Sequence, residues 1–252
     1  MSQNIITIVN QKGGVGKTTT AINAASYLAG EGRKILLVDL DSQGNATSGL
    51  GVKPLNNSIY QIMLGSIDAK SAIVKTSIKG LDIITSNPSL SAFESESSQI
   101  ENREFILKKA LDALDYDYIF IDCPPSLGVL TINALTAANN IIITVQSEYY
   151  ALEGLSQLLN TIQLVKENTN PDLNILGVLM TMYDKRTSLS QQVKSEVENY
   201  FGDLVFKTSI PRNVRLAEAP SHGQSIFQYD SWSRGSKSYK SLGKEILKRT
   251  TN

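Results

Sequence analysis

Short apolar runs rich in Ile, Leu and Val recur along the chain, separated by longer stretches whose apolar positions return at helical spacing. The runs at residues 5–9, 34–39, 81–85, 118–122, 141–145, 175–181 and 205–210 are mostly continuous rather than alternating, as in strands covered on both faces. Helices are predicted over residues 18–29, 101–114, 130–138, 153–168, 190–200 and 236–249. The repeated strand-then-helix order predicts an α/β fold, a doubly wound, mostly parallel sheet with helices on both faces and right-handed crossovers. Ligands of such sheets sit at the carboxyl ends of the strands. No internal repeat, charge block or Pro/Gly/Ser linker breaks the order, so residues 1–252 read as one domain. The Ser-rich stretch 86–98 reads as a loop with a short polar helix.

Composition narrows the chemistry. One Cys and one His cannot form an internal disulfide, an intrachain zinc cage or a thiolate-held cluster, and a reducing, intracellular compartment is expected. The N-terminal Met-Ser-Gln-Asn resembles neither a signal nor a transit peptide, and no apolar stretch approaches the roughly 20 residues that span a bilayer. A soluble, cytoplasmic protein with no membrane partner is expected. The 24 basic and 24 acidic residues balance, but unevenly: residues 1–180 hold 12 basic and 17 acidic side chains, residues 181–252 hold 12 and 7. An acidic partner such as DNA would meet the C-terminal part, unless that part is simply a solvated basic face.

Directly after the first strand comes Gln11-Lys12-Gly13-Gly14-Val15-Gly16-Lys17-Thr18-Thr19-Thr20, followed by an Ala-rich helix. Three glycines in four positions let backbone N–H groups turn inward, and the helix points its positive end at the same spot. Phosphates of ATP fit such a loop: Lys17 reaches the β- and γ-phosphates, the Thr18 hydroxyl is placed for Mg2+, and Thr19 is a candidate for the α-phosphate. The strict signature fails at Gln11, where Gly is usual; a second lysine, Lys12, stands beside Gly13, which defines the deviant Walker A loop of P-loop NTPases. Asp122 ends a buried strand, where a carboxylate costs energy unless it faces a cation or donors, and a magnesium shell supplies that cation. Asp39 and Asp41 end the second strand, and from residues alone either one suits the water-orienting role.

Further segments extend the pattern: Leu37-Val38-Asp39-Leu40-Asp41-Ser42-Gln43-Gly44-Asn45, Ile121-Asp122-Cys123-Pro124-Pro125-Ser126, Glu148-Tyr149-Tyr150-Ala151-Leu152-Glu153-Gly154, Thr181-Met182-Tyr183-Asp184 and Ile210-Pro211-Arg212-Asn213-Val214-Arg215. Their order and spacing resemble the ParA/Soj family of chromosome and plasmid partition ATPases, within the ParA/MinD superfamily, over nearly the whole chain. The resemblance implies an ATPase that forms an ATP-dependent homodimer on non-specific double-stranded DNA and is released by a ParB-type activator bringing a basic N-terminal segment. It implies a nucleoid-associated protein. It assigns Lys12 to phosphates across the dimer, Asp41 to the attacking water, Asp122 to Mg2+ through water, and Pro211, Asn213 and Met182 to the base pocket. Val15 belongs to the phosphate loop with its glycines. Arg186 and Arg215 match DNA-binding positions, with Lys185, Arg212 and Arg234 as contributors.

Ser42 stands where many members carry Pro, and no helix-turn-helix segment precedes the ATPase part, so operator binding is not expected. Core packing competes with a base contact for Met182. Cys123 reads as a small buried hydrophobe, and His222 as a structural turn residue. Competing functions are MinD-like positioning on a membrane surface, a metabolic synthetase or kinase on the same scaffold, and a cargo-positioning ATPase that uses the nucleoid.

Overall fold

The computed structural model describes residues 3–148 and 153–251. Seven strands, β1 (Asn4–Val9), β2 (Ile35–Asp39), β3 (Ile73–Lys75), β4 (Leu81–Ile84), β5 (Tyr118–Asp122), β6 (Asn140–Gln146) and β7 (Asn174–Thr181), form one sheet in the order β3-β4-β2-β5-β1-β6-β7. Every pairing is parallel except β3 with β4. The helices are α1 (Lys17–Gly30), α2 (Asn45–Gly49), α3 (Ile59–Met63), α4 (Phe93–Glu96), α5 (Ile106–Asp112), α6 (Val129–Ala137), α7 (Glu153–Asn168), α8 (Ser188–Phe201), α9 (Val214–Glu218), α10 (Ile226–Tyr229) and α11 (Arg234–Thr250). Tyr149–Leu152, part of the 148–154 segment singled out above, lie outside the described residues.

Alternation within β1 divides the core. Ile5 and Val9 join one apolar layer with α5, α6 and α7, while Ile6 and Ile8 join the other with α1 and α11. Both faces are thus dry, which is why the strands read as continuous apolar runs. Each fully buried Ile or Leu contributes roughly 1.5–3 kcal/mol relative to exposure. The C-terminal helix belongs to this core: Tyr239, Leu242 and Ile246 are buried, and the Tyr239 hydroxyl lies 3.1 Å from Thr20 Oγ1 on α1. Gly243 lets α11 approach α1 closely, since a Cβ there would overlap the Tyr27 ring.

Parallel register sets the site. Asp39 on β2 lies opposite Asp122 on β5, both at the carboxyl ends of their strands. From β1 the chain passes to β2 on one side, and later to β6 and β7 on the other, so a crevice opens above β1.

Two expected elements differ. Residues 205–210 run beside β7 without forming a regular ladder: the Phe206 and Ile210 amides donate to the Val178 and Met180 carbonyls at 2.9 and 2.8 Å, and isolated bridges pair Val178 with Val205 and, past both segments, Tyr183 with Pro211. Between them the amides of Lys207 and Thr208 donate to the Glu245 carboxylate on α11 at 2.9 and 2.8 Å, and Arg249 takes the carbonyls of Leu204 and Val205. Side chains of α11 thus interrupt the ladder. The helix expected at 101–114 is shorter, because Asn102 adopts a left-handed φ of 55° and α5 begins only at Ile106 after a 3-10 turn. Edge strand β3, three residues long and half-exposed, carries too little pattern to be legible.

Candidate nucleotide site and basic face

The loop between β1 and α1 is built by its glycines and held by three strands. Gly14 and Gly16 have φ of 73° and 86°, left-handed values that side chains disfavour. Gly16 caps α1 without a side-chain acceptor and the first turn carries no acid, so its N–H groups stay free for an anion. Asn10, just past β1, accepts from the Lys12 amide at 2.8 Å and donates to the Thr144 carbonyl on β6 at 2.6 Å. The Thr181 hydroxyl, ending β7, donates to the Val15 carbonyl at 2.9 Å. Asn10 and Thr181 went unnoticed as loop-holding residues; their signal is a polar residue closing a buried strand.

Under the loop lie three carboxylates and one ammonium. Lys17 is only 6% exposed and its Nζ donates to the Lys12 carbonyl at 3.1 Å. Burial lowers its pKa, and the charges of Asp122 and Asp41 work against that. Asp39 is fully buried and committed: Oδ2 accepts from the Thr47 amide and hydroxyl at 2.8 and 2.7 Å, and Oδ1 accepts from the Asp41 amide at 3.3 Å. Asp41 accepts only the Gln43 amide at 3.0 Å and lines the open cleft. Position therefore favours Asp41 over Asp39 for a water-directed role.

Asp122 is fully buried, and neither carboxylate oxygen has a hydrogen-bond partner. Burial and the neighbouring Asp39 charge push its pKa well up, while the facing Thr18 hydroxyl and Lys17 pull it down without closing a hydrogen bond. An orphaned carboxylate beside a threonine hydroxyl fits Mg2+, which takes few protein ligands and keeps its waters and phosphate oxygens. Accordingly, no all-protein cage of three or more His, Cys, Asp or Glu exists among the described residues. Cys123 is fully buried with its thiol pKa raised by burial, a packing residue.

A cleft of about 490 Å³ opens from Gly13, Gly14, Lys17 and Thr18 past Asp41 and Pro125 toward Leu216 and Pro220. A second cavity of about 210 Å³ continues from Thr19 and Met182 to Pro211 and Asn213. Met182 lines both, half-buried, with a left-handed φ of 51°, a strained backbone at the junction rather than a core side chain. Asn213 Oδ1 caps α9 by accepting the Arg215 amide, leaving its amide nitrogen for a ligand.

Lys12 does not enter its own cleft. Its ammonium binds Glu148 Oε2 at 2.6 Å with both side chains about half exposed. The two arginines singled out for DNA are likewise paired: Arg186 chelates Asp184 at 3.0 and 2.7 Å, and Arg215 bonds Glu218 at 2.9 Å with Asp230 at 3.6 Å. Arg186 holds the Asp184 carboxyl down at about 2. Arg186 also borders a basic groove of about 790 Å³ with Lys185, Arg212, Arg234 and Lys237; Arg215 stands outside it. Arg234 and Lys237 enter through the first turn of α11, which brings them to the 183–186 loop. His222 stacks on Tyr229 at 5.0 Å and lines neither nucleotide cavity.

Residues 3–175 match the AAA domain family. The chain is 55% identical to the sporulation initiation inhibitor protein Soj of Bacillus subtilis over 96% of its length and 97% of that protein. It is 52% identical to the chromosome partitioning protein ParA of Myxococcus xanthus, covering 98% of this chain and 89% of that one. Among solved structures, a cobyrinic acid a,c-diamide synthase from Mycobacterium smegmatis with ADP and magnesium aligns at TM-score 0.88 and 38% identity, covering 100% and 96% of the two chains. A putative plasmid partition protein from Borrelia burgdorferi bound to AMPPNP aligns at TM-score 0.83 and 30% identity, covering 98% and 100%. With the phosphate loop, the parallel sheet and these likenesses in place, the chain belongs to the Soj/ParA family of chromosome-partitioning proteins, P-loop NTPases of the ParA/MinD type.

Proposed function

We propose that the chain is an ATP-driven partitioning switch: ATP binding drives a sandwich dimer, the dimer holds DNA without sequence preference, and hydrolysis stimulated by a ParB-type partner releases it. The observation that carries this reading is Lys12, whose ammonium is held by Glu148 outside its own cleft. A loop lysine turned outward serves its own phosphates poorly and a facing subunit's phosphates well, in the manner of a positive finger supplied in trans. ATP and dimerisation are then coupled, because each nucleotide completes its charge balance only across the interface.

Within the cleft, the Gly13–Gly16 amides and Lys17 bind the phosphates, Thr18 and the orphaned Asp122 hold Mg2+ (Asp122 through water), and Asp41 orients the attacking water. When bound, Mg2+ neutralises phosphate charge as it develops. Met182, Pro211 and Asn213 enclose the base. Arg186 and Arg215, joined by Lys185, Arg212 and Arg234, meet duplex phosphates. The protein works in the cytoplasm on the nucleoid.

The membrane-surface alternative has little to use, since the apolar side of α11 is already buried on α1, and no described helix is long and apolar enough to cross a membrane. The cobyrinic acid a,c-diamide synthase, at 38% identity, is less similar in sequence than the Soj and ParA relatives at 55% and 52%, and a basic groove has no evident use in that chemistry. A cargo-positioning role would employ the same switch. Light scattering of the wild type and Lys12→Ala with ATP and with ADP tests the proposal: the wild type should double in mass with ATP only and the variant should not. A wild type that stays monomeric with ATP, or a Lys12→Ala variant that dimerises equally, would overturn it.

A further inference from the structure

We propose that Trp232 is part of the duplex-DNA surface, its indole packing against the sugar-phosphate edge between Arg215 and the basic groove. The proposal rests on the DNA reading above and adds to it a contact that carries no charge. Trp232 is the chain's single tryptophan, and at 83% it is the most exposed large apolar side chain among the described residues. A Trp left in water leaves a large apolar area unburied, which a partner of suitable chemistry could cover.

Its surroundings say which partner. Trp232 sits in the turn between α10 and α11, where its amide donates to Asp230 Oδ1 at 3.1 Å. The other oxygen of that carboxylate lies 3.6 Å from Arg215 Nε, so one side chain ties the indole's backbone to the arginine. Two residues further on, Arg234 opens α11 and borders the groove formed with Lys185, Arg186, Arg212 and Lys237. Val214, 66% exposed, adds a second apolar side chain beside Arg215. The aromatic therefore stands between Arg215, which is paired with Glu218 and Asp230, and the basic groove, whose one acid is Asp184. Charge complementarity selects a polyanion, and an aromatic beside cations suits one that also offers apolar surface, as the deoxyribose edge of a duplex does.

The full chain with Mg2+ and a slowly hydrolysed ATP analogue tests this against a labelled random-sequence duplex. With one tryptophan among ten tyrosines, emission excited at the red edge, where only indole absorbs, reports this site alone; it should quench and shift to the blue, saturating together with duplex anisotropy. Trp232→Ala should weaken duplex binding about tenfold at every salt concentration, within the range for an aromatic laid against nucleic acid. Its log K against log salt slope should not change, because no cation is lost, whereas each phosphate contact removed with an arginine flattens that slope by about 0.9. Trp232→Phe should retain most of the affinity, and ATP-dependent dimerisation should be normal in both variants.

Unchanged duplex affinity in Trp232→Ala, or duplex binding with silent emission, would overturn the proposal while leaving the DNA reading in place. An emission change on adding the ATP analogue without DNA would move Trp232 to the subunit contact and overturn it as well. Failure of the wild type to bind duplex at all would sink the DNA reading itself and this contact with it.

Discussion

Asp122→Asn separates what the site does for folding from what it does for its ligand. In the free chain the Asp122 carboxylate is fully buried without a hydrogen-bond partner and faces Asp39 across the β2–β5 pairing. Leaving such a group unsatisfied costs about 1–3 kcal/mol, and more when it is charged. The amide of Asn keeps part of that penalty, so the variant should be more stable than the wild type by about 1–2 kcal/mol at neutral to alkaline pH. For a chain of this size each kcal/mol moves Tm by roughly 2–4 °C, giving a rise of about 2–8 °C.

The pH dependence has a definite sign. Burial and Asp39 raise the Asp122 pKa in the folded chain, so folding takes up a proton between the unfolded value, about 3.9, and the folded one. The neutral acid's advantage is full below the unfolded value and is lost as pH rises through the folded value. The Tm difference between variant and wild type should therefore be near zero at acid pH and grow toward alkaline pH. Calorimetry without nucleotide across that range measures it directly. Adding Mg2+ and ATP should reverse the order, because the wild type gains a cation at Asp122 and the variant does not. An Asp122→Asn chain that is no more stable than the wild type at alkaline pH, or whose difference ignores pH, would refute the orphaned-carboxylate account.

Two other outcomes follow from contacts already described. Gly243→Ala would drive a methyl into the Tyr27 ring, and overpacking of this kind costs about 1–3 kcal/mol; denaturant unfolding should show a lowered midpoint with an unchanged m value. Glu218→Gln should loosen Arg215 from its strongest partner and raise the affinity of the chain loaded with an ATP analogue for duplex DNA in anisotropy, and an unchanged or lower affinity would mean that the pair does not restrain the arginine.

Much of this architecture was legible because both sheet faces are dry. Continuous Ile/Val/Leu runs located six of the seven strands, and the glycine-lysine loop located the cleft. Where reading failed, long-range side chains had replaced local backbone bonding. Residues 205–210 have a strand's composition, but Glu245 and Arg249, some forty residues away, take several of the backbone groups a full ladder would use. At the site, position along the chain indicated Lys17 and Thr18 but left Asp39 and Asp41 open; the family resemblance pointed to Asp41, and the Asp39 carboxylate is bonded to Thr47. Two of the ion pairs were invisible for the same reason as the interrupted ladder: neither Lys12 with Glu148 nor Arg215 with Asp230 is close in sequence.

The most direct test of the central claim is a duplex-DNA titration comparing ATP with ADP, repeated with Asp41→Ala and at two salt concentrations. The account predicts binding with ATP only, strengthened by Asp41→Ala. If two arginines per subunit engage phosphates in a dimer, log K should fall against log salt with a slope of about −3.6. Binding that ignores the nucleotide, or no binding at all, would contradict it.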